Sequence, residues 1–435
     1  MHNQASGADL SVAAPRGNLA VPTEQHLQDD YPQSGGVVAR AEEVARQQLA
    51  QAGFGYVRAE VPATGAFRRR LVADLVAWAA DARGEVRPYA AVEVNLKAAD
   101  GADFEGALAQ LALTRDMLGT STHYIFAEGR WYEADAGLRQ AHLLPGVPLA
   151  PPHEPTTLAD AEVAAQILTQ RVWQQMDAER KQLRDPTAVI LRGLLHELAA
   201  AGGRLPFGDH LLSVPQPVLW AATQQVARWA LTRKRFFEEF TTTTELAAPM
   251  ALLLGPTVQG VVFDPFAGIG SSLWAVADRA VADERAVELH GAEINRETAD
   301  LARALADVSP YDITVESTDS FTAGVHGVAD FIVTDPPAGL RLASPYRIEG
   351  VGDTSDGDVA SVDLVLKALK PGGRAVIHLP LGWTMRSGTA SRYRDHLLET
   401  VRVVALIGLP SGAYPNTGIP SVLLVVDKGS ATGET

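Results

Sequence analysis

Asp264, Glu293, Asp319 and Asp335 each close or follow a short apolar run. Asp264 opens the stretch Asp-Pro-Phe-Ala-Gly-Ile-Gly, in which Gly268 and Gly270 bracket a tight turn before Ser271 starts a helical pattern. Strand, glycine turn and helix make a nucleotide-sized hollow at the carboxyl end of a parallel sheet, because backbone without Cβ lets a ligand approach closely. Within HGAEIN (290–295) a short strand ends at Glu293, and LWAVADRAVADERAVEL between the two runs is the right length for one crossover helix. An acid at that strand tip can accept hydrogen bonds from both hydroxyls of a ribose. Asp319 follows the run ITVES and can receive an adenine amino group. The turn reads GIGSS rather than GxGxxG, and Asp-Pro-Phe suits a cationic, phosphate-free ligand better than a nicotinamide dinucleotide.

Asp335 sets the chemistry. FIVTDPPAGL is an apolar strand that ends in Asp335-Pro336-Pro337. Two prolines end the strand and hold a rigid, extended backbone. The Asp335 carboxylate and the Pro336 carbonyl can then receive the two N–H bonds of one exocyclic amine. Holding both turns the nitrogen lone pair toward an electrophilic methyl, so positioning and electrostatics do most of the catalysis.

FTTTTELAAPMALLL (240–254), DPFAGIG, TDPPAG and LIGLPSGAYPNTGIPSVLLVVDKG (406–429) follow one another in the order found in the DNA N6-adenine methyltransferases. Over about residues 185–430 the chain resembles that family, and within it the methylation subunit of type I restriction-modification systems. The resemblance implies an α/β fold: a Rossmann-like domain with a mostly parallel seven-stranded sheet, preceded by a helical segment and a smaller α/β domain. It implies S-adenosyl-L-methionine as cofactor and methyl transfer to adenine N6 in DNA. Thr242 falls on the threonine that borders the methionine end of the cofactor. Asp264, Phe266, Ala267, Gly268 and Gly270 fall on the glycine-turn motif, Glu293 and Ile294 on the ribose strand, and Asp319 and Ser320 on the adenine-binding tip. Asp335, Pro336 and Pro337 fall on the catalytic motif. The family places an aromatic residue after the two prolines to stack on a base swung out of the duplex; this chain has Ala338. Tyr414 occupies the family's second aromatic position and is expected to stack instead. A glycine-rich acidic stretch, EGVGDTSDGDV (349–359), is expected to be a loop.

The formal net charge of −15 opposes DNA binding by the chain alone, since neutralisation of phosphates drives nonspecific affinity. No target-recognition segment is evident. A specificity or restriction subunit is therefore the expected partner alongside DNA. The chain has no cysteine, which removes disulfides and thiolate metal sites. Its histidines are dispersed, and no metal is expected. No apolar run is long enough to span a membrane and no signal peptide is apparent, so the bacterial cytoplasm is expected.

Along the chain, residues 1–35 read as a disordered or extended arm, 36–145 as a small α/β domain, 146–156 as a proline-rich linker, 157–239 as helical, and 240–430 as the methyltransferase domain. VRVVALIGLP and SVLLVVDKG read as short buried strands. In the first domain, Asp74, Glu93 and a helix carrying Gln110 resemble the nuclease-like fold found at the start of type I restriction subunits. That family carries Glu-x-Lys; here Asn95 stands in the lysine's place and Lys97 lies two residues on. The resemblance implies a carboxylate site for Mg²⁺ in a degenerate form. For this domain an unrelated α/β module stays open; for the whole chain two other readings do: a non-catalytic module that binds cofactor or nucleic acid in a defence or regulatory assembly, and a single-chain restriction enzyme with both activities.

Overall fold

A computed structural model describes residues 38–59, 73–95, 104–179, 187–207, 210–232, 242–413 and 418–429. Tyr414, Lys97 and the arm at 1–35 lie outside these residues. The chain divides into two compact units, one within residues 1–156 and 206–211, the other within 157–205 and 212–435.

The first unit runs α1 (Val38–Gln51), β1 (Tyr56–Ala59), β2 (Leu75–Ala80), β3 (Glu85–Asn95), α2 (Glu105–Leu118), β4 (Thr122–Ala127), β5 (Arg130–Ala134) and β6 (Ala141–Leu143). β1, β2 and β3 pair antiparallel, and β4 joins β3 in parallel across α2. β2 is buried along its whole length. Leu49 of α1 and Leu75, Ala77, Val92, Phe126 and Trp131 of the strands share one core. The Trp131 indole donates to Gln48 Oε1 at 2.7 Å, so its polar end is satisfied inside that core.

The second unit contains β7 (Thr157–Leu158), α3 (Ala161–Glu179), α4 (Thr187–Ala200), β8 (Arg204–Phe207, shared with the first unit), β9 (His210–Ser213, likewise) and α5 (Gln216–Thr232). After these come α6 (Thr244–Leu253), β10 (Gly260–Asp264), α7 (Ser271–Ala282), β11 (Val287–Glu293), α8 (Arg296–Val308), β12 (Ile313–Ser317) and β13 (Ala329–Thr334). The hairpin β14 (Arg341–Ile348) and β15 (Gly352–Asp356) follows, then α9 (Gly357–Ala368), β16 (Leu369–Pro380), α10 (Thr389–Thr400), β17 (Arg402–Leu409) and β18 (Ser421–Asp427).

Seven strands form one sheet in the order β12-β11-β10-β13-β16-β18-β17. β12, β11, β10, β13 and β16 are parallel, and β18 runs antiparallel to both β16 and β17. Strand order reverses between β10 and β13, where a crevice opens at the carboxyl ends of the strands in such sheets. One core joins Ile332, Ile377 and Leu424 of the strands to Val362 of α9 and Tyr393 of α10, all buried. The helices of 161–232 belong to this same unit. Trp220 of α5 meets Trp274 of α7 edge-on, with ring centroids 5.2 Å apart, and Arg192 of α4 reaches Asp300 of α8 at 3.4 Å.

Two expectations are corrected. Residues 349–359 are not a loop: they supply β15 and the first turn of α9. Asp356 caps that helix by accepting from the backbone N–H of Asp358 and Val359, and the local glycines, Gly350 and Gly352, take the positive φ of the hairpin turn. β17 is not buried. It is an edge strand with alternate residues outward, leaving Leu406 51% exposed.

Candidate functional site

Parallel pairing brings the ends of β10, β11, β12 and β13 to one edge of the sheet, and Asp264, Glu293, Asp319 and Asp335 stand at or just past those ends. Two glycines set the local geometry. Gly270 has φ of 96° and caps α7, a conformation that a side chain disfavours. Gly291 on β11 faces the turn: a Cβ there would come within 2.7 Å of the Ala267 Cβ. The missing side chain lets the turn sit directly on the second strand.

The loops are then tied to one another. Glu293 Oε2 accepts from the Gly268 N–H at 3.1 Å, and its Oε1 accepts from the Asn295 N–H at 2.7 Å. The Ser320 hydroxyl donates to the Pro265 carbonyl at 2.6 Å, which joins the tips of β10 and β12. Asp319 Oδ1 accepts from the Phe321 N–H at 3.0 Å. Phe266, Phe321 and Tyr346 form a line of rings at 5.5 and 5.7 Å, leading from the glycine turn to the hairpin beyond the proline corner. Ile294, just past Glu293, is 69% exposed.

Asp264 is buried and accepts from the Thr334 hydroxyl at 2.6 Å and the Phe266 N–H at 3.0 Å. Burial pushes its carboxyl up to about 7; those two hydrogen bonds oppose the shift, and the charges of Asp335 and Glu293 add to it. Burial also raises Glu293, against the pull of its backbone donors. Once ionised, these two buried acids would favour a cationic occupant at this edge of the sheet.

Asp335 is held on both oxygens. The Thr242 hydroxyl donates to Oδ2 at 3.2 Å, and Nδ1 of the fully buried His378 lies 2.7 Å from Oδ1. Pro336 is buried, while Pro337 and Ala338 are exposed. Beyond them Asp358 accepts from the Gly339 N–H at 2.8 Å and from Arg386 at 2.5 Å, fixing the segment that leaves the proline corner. Sequence reasoning singled out neither His378 nor Asp358. His378 lies one residue past Ile377, the β16 partner of Thr334, so its neighbour is visible only once β13 and β16 are paired.

In the first unit Asp74, Glu93 and Gln110 come together with Val94, Ala73, Gly106 and Ala107 around a cavity of about 330 Å³. Asp74 Oδ2 accepts from the Val94 N–H at 2.7 Å. Burial, then the neighbouring Asp74, pushes Glu93 up to about 9, and burial raises Asp74 as well. Among the described residues no group of three or more His, Cys, Asp or Glu is placed to hold a metal ion, and no helix is long and apolar enough to cross a membrane.

Sheet order, glycine turn and acid-tipped strands define an S-adenosylmethionine-dependent methyltransferase fold. A class I methyltransferase structure from Listeria monocytogenes, described as S-adenosylmethionine-dependent, shares it with a TM-score of 0.51 and 14% identity, over 63% of this chain and 90% of that one. Within this class, residues 225–435 match the family model described as N-6 DNA Methylase. The type I restriction enzyme StySJI methylase subunit of Salmonella typhimurium is 26% identical over 203 residues, 41% of this chain and 38% of that protein. The EcoKI methylase subunit of Escherichia coli is 25% identical over 201 residues, again 41% and 38%. The chain thus spans well under half the length of these relatives.

Proposed function

We propose that the chain is a DNA methyltransferase that uses S-adenosylmethionine to methylate adenine N6, with a separate subunit supplying sequence recognition. The observation that carries this reading is the convergence of four acid-tipped strands at the β10–β13 switch point, with Asp335-Pro336-Pro337 on the strand beside the glycine turn. The residues fit the cofactor: Glu293 retains lone pairs for ribose hydroxyls, Asp319 and Ser320 border the adenine end, and exposed Ile294 offers an apolar face. Gly268, Gly270, Ala267 and Phe266 line the turn, and Thr242 marks the methionine end. When bound, S-adenosylmethionine would supply a methyl on a cationic sulfonium: the amine nitrogen would take the methyl as the carbon–sulfur electron pair returns to sulfur, and the amine's surplus proton would pass to solvent. Asp335 and the Pro336 carbonyl receive the amine's N–H bonds, Pro337 stiffens the corner, and Tyr414 stacks the base. Labelled methyl should enter adenine-containing DNA in the presence of the partner, and Asp335→Ala should abolish incorporation. No incorporation by the unaltered chain with any DNA or partner would refute the reading.

Ala338 favours a second reading, a module that binds cofactor but transfers methyl poorly. It is exposed at the position where the resemblance implies a ring, and base–aromatic stacking contributes about 1–3 kcal/mol per base. Ala338→Tyr separates the two: a strong gain of methylation marks a weakened enzyme, and no change marks a different role. The first unit is read as a degenerate nuclease-like module. Its support is the α-β-β-β-α-β order and the cavity that Asp74 and Glu93 share. Mg²⁺-dependent nicking lost on Asp74→Ala would make it an active nuclease instead.

A further inference from the structure

We propose that His378 is a positioning residue for methyl transfer, orienting Asp335 from within the sheet; this rests on the adenine-N6 reading. An asparagine at this corner would define its own acceptor, because its amide nitrogen can only donate. A carboxylate has two equivalent oxygens and must be oriented from outside. Here both outside donors are present. The Thr242 hydroxyl engages Oδ2 at 3.2 Å, and His378 Nδ1 engages Oδ1 at 2.7 Å. An ionised Asp335 offers only lone pairs, so this contact requires the proton on His378 Nδ1.

The surroundings make this contact hard to replace. His378 is 0% exposed, and the Asp335 side chain is 17% exposed. Pairing with Leu423 of β18 on one side, and the step beyond the Thr334–Ile377 pair on the other, set the ring's position. The imidazole therefore sits on rigid strands, whereas Thr242 lies in the short segment before α6. With one edge of each oxygen occupied, the carboxylate plane is fixed. The lone pairs that remain define where an amine N–H must come.

The test uses the full-length chain in three forms: unaltered, His378→Leu and His378→Asn, whose amide nitrogen can stand where Nδ1 stood. With the partner and a methyl-labelled cofactor, His378→Leu is expected to lower kcat roughly ten- to a hundredfold, the range for a hydrogen bond to a charged group. KM for DNA and calorimetric affinity for S-adenosylmethionine should stay unchanged. His378→Asn should recover most of the loss. On the cofactor-free chain, ¹⁵N-histidine NMR should show a downfield imidazole proton that Asp335→Ala removes. Equal turnover by the unaltered chain and His378→Leu would overturn this role and leave adenine-N6 transfer standing. So would a folded His378→Asn as slow as His378→Leu, or a downfield proton that survives Asp335→Ala. Failure of the unaltered chain to methylate any DNA would overturn the functional reading and this role together.

Discussion

Among the carboxyl groups that burial raises, Asp264 and Glu93, in different parts of the chain, carry the clearest pH dependence. Asp264, held up at about 7 by burial, is more basic in the folded protein than in the unfolded chain. Its contribution to stability is therefore fully present below the ordinary carboxylate range and is lost as pH rises through about 7. A cationic ligand prefers the ionised form. Calorimetric affinity for S-adenosylmethionine should thus rise between about pH 6 and pH 8, and Asp264→Asn should flatten that slope. Affinity for the uncharged thioether product should vary less. Glu93 behaves alike in the first unit: with its folded value at about 9, it withdraws stability as pH climbs from the ordinary glutamate range toward that point. Glu93→Gln should raise the unfolding temperature in mildly alkaline buffer and leave it little altered in acid. An unfolding temperature unmoved in alkali would show that the carboxyl is solvated.

At the scale of elements, the close approach of the glycine turn to β11 is the weak point. Gly291→Ala places a methyl 2.7 Å from the Ala267 Cβ. Overpacking of this kind costs about 1–3 kcal/mol. Melting temperature and cofactor affinity should fall together, and the added change Ala267→Gly should restore both; a single variant that binds normally would show that the turn has slack. Much of this architecture was legible in the chain. Inner parallel strands read as unbroken apolar runs, so VVF and FIV announced themselves; ITV, on the edge strand β12, alternates buried and exposed but is β-branched throughout, and in each case an acid marked the tip. What escaped depends on pairing across the sheet. IHLP reads as an ordinary strand end until Ile377 is set beside Thr334. Asp358 reads as one more acid in a polar stretch until it is found buried against Arg386 and the Gly339 N–H. The hairpin of 341–356 was hidden by its glycines, which serve the turn rather than dissolve the segment. β17 carries the composition of an inner strand and lies at an edge, because β18 takes the inner place.

For the whole molecule, charge is the governing quantity. A net charge of −15 repels a polyanion, so the chain alone should not retain duplex DNA in a mobility-shift experiment at physiological salt. Retention should appear with a basic recognition subunit and decline steeply as salt is raised. Tight, salt-insensitive retention by the chain alone would show a binding surface of another kind.

The order β16-β18-β17 also bears on how the protein is made. β18 follows β17 in the chain yet is inserted between it and β16. A nascent polypeptide that has emerged from the ribosome only as far as residue 420 carries β17 with no neighbour to dock on, and the flank of β16 lies bare. The second unit cannot mature strand by strand as it is synthesised; completion waits for 421–427, and the apolar edge awaiting them is what a chaperone would shield in the interval.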